Sequence, residues 1–254
     1  MHPEAPEPFT PNNRIYENMF NNERDHWWYR GLRSLLFFWL GTLKVKNVLD
    51  AGCGTGENMH VLRSKKYNVY GFDVSDKAVS YCRKKGLEDV LRASISKLPY
   101  QDSLFDCIYC MDVFACLTQK EYQAALIEFK RCLKSHGYLI INVAALPFLF
   151  SNHDVAWKVK RRFLVKDIET DLKVQGFEIV KSTYRVFFLF PLAVVYKLFN
   201  KMYYRYSKDV PDHIDKVNVL LNGVFTGIML AENYLLRLIN LPIGTSIFIV
   251  ARKK

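Results

Sequence analysis

"VLDAGCGTGENMHVL", residues 48–62, runs from an apolar pair through an acid and three glycines at alternate positions back to apolar residues. Val48 and Leu49 follow a basic stretch and precede the glycines, so the segment reads as a short buried strand entering a Gly-rich turn, with a helix starting near Glu57. Glycine is needed where φ is positive or where the backbone comes close to another group. Gly52, Gly54 and Gly56 therefore leave a surface free of Cβ atoms. Nicotinamide-binding loops space their glycines G-x-G-x-x-G and carry an acid about 20 residues further on. Here the spacing is G-x-G-x-G, and Asp50 already stands inside the strand end. A carboxylate facing such a loop suits a cationic ligand better than a pyrophosphate.

Three further stretches follow in order: "VYGFDVSDKAVSYCRKKG" (69–86), "KLPYQDSLFDCIYCMDVFACL" (97–117) and "RCLKSHGYLIINV" (131–143). With the glycine loop they make roughly residues 45–145 resemble class I S-adenosylmethionine (SAM)-dependent methyltransferases. The resemblance implies an α/β, Rossmann-like, doubly wound seven-stranded sheet with SAM as cofactor. It implies that Gly52, Cys53, Gly54 and Gly56 approach the amino-acid part and ribose of SAM, and that Asp50 holds its cationic end. Asp73 would take the ribose diol and Val74 would pack on adenine. Ser94 stands where the family often has an aspartate for the adenine amino group, and Ile95 would offer its backbone. Met111 and Asp112 would line the methionine end. Relatives often carry Glu-His where this chain has Ala115 and Cys116, which removes the obvious general base.

The stretch 16–43 reads as helical, and its "E…HWW…R" is similar to N-terminal helices of methyltransferases in polysaccharide and lipid pathways. That likeness makes Trp28 a wall of the cofactor pocket and Arg33 a partner of the methionine carboxylate. The alternative is a helix that simply packs its aromatics on the sheet. After the fifth strand, "SNHDVAWKVKRRF" (151–163) resembles a "D…H-x-R-R-Y" pattern but has Val159 at the histidine position. His153 with Asp154 is then the best remaining acid–base pair by location.

The first fourteen residues hold four prolines and no apolar core, which predicts a flexible arm and neither a signal peptide nor an anchor. Six cysteines suggest reduced thiols and a cytoplasmic protein. Cys107 and Cys110 form a C-x-x-C, yet on a strand residues three apart point to opposite faces, so plain packing is expected and no metal site. Residues 151–254 hold 17 Lys and Arg against 9 Asp and Glu, or +8 of the chain's +11. A basic C-terminal third favours an anionic partner, whether nucleic acid, lipid surface or phosphorylated substrate.

The expected division is a cap over 15–43, a core over 44–187 plus 245–254, and a helical insertion or lid over 188–244. From 215 onward Asp215, Asn218, Asn222, Thr226, Asn233, Arg237 and Asn240 form one polar stripe at helical period, broken by Met229. A helix so apolar elsewhere is expected to bury most of its circumference. Upstream, "VFFLFPLAVVY" (186–196) is too short to span a bilayer, which needs about 20 residues. It is followed by Lys197, Lys201, Arg205 and Lys208 among aromatics, the make-up of an interfacial segment. The insertion is therefore expected to cover a small-molecule, glycan-linked or lipid-like acceptor, methylated at oxygen, and to touch a membrane surface; the alternative is that it folds onto its own domain or a second copy of the chain and never meets lipid. A nucleic-acid methyltransferase is disfavoured: strand four lacks the N/D-P-P-Y/F sequence of base amino methylation and no RNA-binding module is added. A non-catalytic SAM-binding protein is the third reading, opposed by the intact glycine loop and Asp73.

Overall fold

The computed structural model describes residues 13–203 and 217–254. The arm expected at 1–14 lies almost wholly outside them, and Lys201, Arg205, Lys208 and Asp215 lie outside the residues whose side chains are described.

Two helices, α1 (Asn13–Asn22) and α2 (Trp27–Leu43), precede an alternation of strand and helix. The strands are β1 (Asn47–Ala51), β2 (Asn68–Asp73), β3 (Val90–Arg92), β4 (Phe105–Met111), β5 (Leu133–Ala144), β6 (Phe177–Arg185) and β7 (Ser246–Lys253). Helices α3 (Glu57–Ser64), α4 (Asp76–Lys84), α5 (Gln119–Cys132), α6 (Asn152–Ala156) and α7 (Val165–Val174) lie between them, and α8 (Phe190–Tyr203) and α9 (Val219–Leu236) occupy the insertion between β6 and β7.

One sheet runs β3-β2-β1-β4-β5-β7-β6. β1 to β5 pair in parallel, and β7 is antiparallel to both its neighbours. Strands covered on both faces read as apolar runs, which is why Val48, Leu49, Ile108 and Ile140 are all fully buried. Cys107 and Cys110 point to opposite faces, each into a different apolar cluster, as the strand period requires. Local signals set the helix starts. Ser75 caps α4 by accepting from Ala78 N, and Thr118 with Glu121 forms a capping box on α5.

The insertion departs from expectation. α9 does not bury its apolar circumference; its inward face carries Asn222, Thr226 and Asn233 of the polar stripe together with Met229, Glu232 and Leu236, while Asn218 and Arg237 stay exposed. Asn222 accepts from Trp27 N (2.8 Å) and donates to Asp25 O (2.9 Å), and Asn233 donates to Gly31 O (2.7 Å). Glu232 is fully buried and collects the backbone N–H groups of Val186, Phe187 and Phe188 at 2.5, 2.7 and 3.1 Å. Each neutral bond contributes about 1 kcal/mol net and each charge-assisted one about 1.5–3. Rotating the helix to hide its leucines would orphan all of them, so the hydrogen bonds to α2 and the chain after β6 decide which face turns outward.

Candidate cofactor and acceptor site

A cavity of about 860 Å³ lies beyond the carboxyl ends of β1, β2 and β4 and runs from Asp73 and Val74 across to His153 and Lys197. This is the point where the strand order reverses, the usual ligand position in an open α/β sheet. Trp28, Arg33, Asp50, Gly52, Cys53, Gly54, Asp73, Val74, Ser94, Ile95, Met111, Asp112, His153 and Asp154 all line it.

The glycine turn is shut by the sheet: Gly52 N and Cys53 N both donate to Phe72 O, at 3.0 and 2.9 Å. Gly52 has φ 82°, and a Cβ there would collide with Val113 Cγ2. Gly56 has φ 81°, but its missing Cβ makes room for Leu87 and Cys82, at 2.6 and 2.8 Å, and it does not reach the cavity. Gly56, expected as a cofactor contact, lies behind the cavity wall. It lets the N-terminus of α3 close on the end of α4. Cys53 reaches the cavity, while its Sγ lies 3.9 Å from Cys82 Sγ.

Asp73 accepts from Gly54 N (3.0 Å), Ser75 N (2.9 Å) and Tyr16 OH (3.3 Å), yet burial still raises its pKa. Asp50 has one hydrogen bond, from Tyr109 OH at 2.8 Å; burial pushes it up to about 8, and Glu23 and Asp73 push the same way. Among the described residues no cation pairs with either carboxylate. Arg33 is spent on the protein, donating to Asn58 Oδ1 (3.1 Å), Arg24 O (3.2 Å) and Glu23 O (2.7 Å). It ties the α1–α2 turn to α3, and meeting a ligand carboxylate would require it to exchange one of these bonds.

At the end of β4, Asp112 takes φ 62° and accepts from Asn142 Nδ2 at 2.6 Å; burial lifts it to about 6 against the pull of Arg185. Arg185 is fully buried behind Trp28, 5.0 Å from the ring centroid, and its Nη1 donates to Asn142 Oδ1 at 3.3 Å. Among the described residues its Nε and Nη2 have no acceptor.

Residues 49–141 match the methyltransferase domain family. That segment is a methyltransferase domain, in the fold of the class I SAM-dependent enzymes. Among curated relatives, an uncharacterized protein of Methanocaldococcus jannaschii, MJ1252, is 29% identical over 52% of this chain and 62% of its own. A malonyl-[acyl-carrier protein] O-methyltransferase of Hamiltonella defensa is 32% identical over 43% and 42%. The chain thus spans less than two thirds of the length of these relatives. A SAM-dependent methyltransferase structure from Archaeoglobus fulgidus superimposes with a TM-score of 0.58 at 16% identity, covering 87% of this chain and 93% of that one.

The methyltransferase site fits its cofactor. SAM is cationic, and the glycine loop is flanked by two buried acids, Asp50 and Asp73, that have no cationic partner among the described residues. Asp73 stands at the end of β2 on the cavity wall.

The acid–base pair does not hold as expected. Asp154 Oδ1 takes Arg162 Nε and Nη2 at 3.0 and 2.7 Å, and its Oδ2 takes Ser151 N, Ser151 Oγ and Lys197 Nζ at 2.8, 3.0 and 3.2 Å. Burial alone would raise this acid, but Lys197 and Arg162 outweigh it and lower its pKa. A carboxylate held by two cations is a poor base; Asp154 fastens α6 to α8. Lys197 is accordingly an internal anchor and not a lipid-facing cation. His153 stays on the cavity wall, its ring 6.1 Å from Trp157.

Sequence reading missed Tyr16, Tyr109, Asn142 and Arg185. Tyr109 was within reach, because it lies opposite Asp50 in the β1–β4 register. Tyr16 was not, since its partner is 57 residues away and no motif joins them.

Proposed function

We propose that the protein transfers a methyl group from SAM to an oxygen of a bulky, largely apolar acceptor that is free, glycan-linked or lipid-like. The observation that carries this reading is the cavity. At about 860 Å³ it lies near the top of the roughly 300–1,000 Å³ range of ligand pockets. It also extends past the cofactor half to Leu189, Leu192, Ala193 and Phe225 of the insertion. Oxygen as acceptor atom is supported by the Hamiltonella relative, a malonyl-[acyl-carrier protein] O-methyltransferase.

SAM when bound supplies an electrophilic methyl with its own leaving group, so the chain needs no nucleophile. Its residues position and enclose. Asp73 and Asp50 fix the two ends of the cofactor, Trp28 and Met111 close the methionine side, and α8 and α9 exclude water from the acceptor. With Asp154 engaged, His153 on the cavity wall is the proton acceptor we assign to the acceptor end. A general base contributes roughly 10²- to 10⁴-fold when an acceptor must lose a proton. The test is methyl transfer from labelled SAM to fractionated lipid, glycan and RNA extracts. Label in a lipid or glycan fraction supports the reading, and label confined to RNA sinks it. Loss of the pH dependence between pH 6 and 9 in His153→Ala would mark that residue as the base.

A further inference from the structure

The outer face of α9 is apolar although the helix has polar residues to offer. Leu220 is 76% exposed, and Val224 and Leu230 are 50% and 41% exposed. On α8, Leu192, Leu198 and Phe199 are 55%, 56% and 66% exposed. This orientation is no accident of rotation, since Asn222, Glu232 and Asn233 bind α2 and the chain after β6 from the opposite side. α9 is long and apolar enough to cross a bilayer. Crossing would strip those three polar residues of their partners in hydrocarbon, so the helix suits a position in the plane of an interface.

Two features choose the occupant. The first is charge. In 188–203 and 217–244 the one acidic residue is Glu232, which is fully buried, so neither helix sets a negative charge on this face. Exposed Arg237 ends α9 and lies over Phe38 and Tyr234, at 4.4 and 5.5 Å from the ring centroids. Lys201 stands near the end of α8, and the sequence joining the helices opens with Arg205 and Lys208, its other charges being Lys216 against Asp209, Asp212 and Asp215. The second is continuity. Leu192 and Tyr196 belong both to the exposed face and to the cavity wall, so the apolar surface runs into the acceptor chamber.

We propose that this face of α8 and α9 docks on an anionic membrane surface, and that the acceptor is a lipid whose chain enters the cavity beside α8 without crossing water. The second half rests on the reading of the cavity as a methyl-acceptor site.

The test is flotation of the full chain with vesicles of phosphatidylcholine alone and of an equal mixture with phosphatidylglycerol, at low salt. The protein should float with the anionic vesicles. Leu220→Glu with Val224→Glu should lower the partition coefficient by roughly tenfold or more while SAM affinity by calorimetry stays at the wild-type value. Leu198→Glu on α8 carries the same expectation should the α9 pair fail to fold. Protein that stays at the bottom of both gradients overturns the docking. So does a wild-type dimer that the α9 pair splits into monomers, which would mean that a second copy covers the face. Labelled SAM and lipid extract are tested in parallel. Flotation with SAM binding but no labelled lipid leaves the docking standing and overturns the lipid acceptor.

Discussion

Around Asp73 the partners are backbone N–H groups of Ser75 and Gly54, two and 19 residues away, with Tyr16 more distant at 57. Around Glu232 every partner lies 44–46 residues away, and Asn233 reaches back 202 residues to Gly31. The cofactor half of the cavity is thus built mainly from contacts between neighbouring strands and the turns that follow them. The acceptor half exists only once distant segments have docked. A reaction shared by many proteins needs a fixed cofactor cradle, whereas an acceptor pocket is set by whatever is packed over it.

The sharpest way to break that contrast is to remove one cation of the network that ties Asp154 to Lys197, 43 residues away, on the acceptor side. Arg162→Ala leaves Asp154, almost fully buried, facing Lys197 alone. Breaking a buried ion pair from one side costs about 3–5 kcal/mol. At about 2–4 °C per kcal/mol for a chain of this size, the melting temperature should fall by roughly 6–20 °C in a thermal scan. A fall below about 2 °C would mean that the network is not what holds α6 to α8.

This also explains what could be read from the sequence. The strand–glycine–helix order, Asp50, Asp73 and the ends of β2 and β4 were legible because each is a local pattern tied to one backbone geometry. Asp154 was misread because its neighbour His153 is adjacent in sequence, while its ion-pair partners Arg162 and Lys197 are eight and 43 residues away. The stripe on α9 was seen correctly and assigned the wrong consequence. Periodicity separates two faces but does not say which one is hidden; that was decided by backbone donors and acceptors on α2 and after β6.

On the cofactor side the expected effects are steric first. Gly52→Ala combines positive φ with a collision against Val113. Left-handed backbone costs roughly 1–2 kcal/mol for a residue with a Cβ, and overpacking adds about 1–3. Calorimetric titration should show SAM binding severely weakened, and the melting temperature should drop by roughly 4–20 °C. Asp73→Ala comes next. Charge-assisted bonds of about 1.5–3 kcal/mol correspond to a loss of roughly ten- to a hundredfold in affinity for SAM and its demethylated product. Unchanged affinity would remove Asp73 from the cofactor site.

Asp50 adds a pH effect of known sign. Its folded pKa is about 8 against an ordinary value of 3.8, so the folded state keeps a proton that the unfolded chain has shed. Stability from this group is complete below about pH 4 and is lost as pH rises towards 8. Cationic ligand binding runs the other way, because it needs the carboxylate. SAM affinity should climb by up to about tenfold per pH unit below 8. Asp50→Asn should flatten that slope in titrations at pH 6.5, 7.5 and 8.5, and an unaltered slope would assign the titration to another group.

The smallest effect has the opposite sign and tests the outward face of α9. Gly223 lies on its exposed side, and a Cβ there would meet nothing within 4 Å. Its φ is not in the left-handed region, so alanine fits the backbone as it stands. Glycine in a helix interior costs roughly 0.5–1 kcal/mol relative to alanine through chain entropy. Gly223→Ala should therefore raise the melting temperature by about 1–4 °C, leaving SAM affinity where it was. The contrast with Gly52 is direct: the same added methyl destabilises the loop packed under β4 and stabilises the helix that faces outward. A thermal scan in which Gly223→Ala lowers stability would show that this side of α9 already rests against protein, either a second copy or another part of the chain. The open face on which the membrane proposal stands would then be closed.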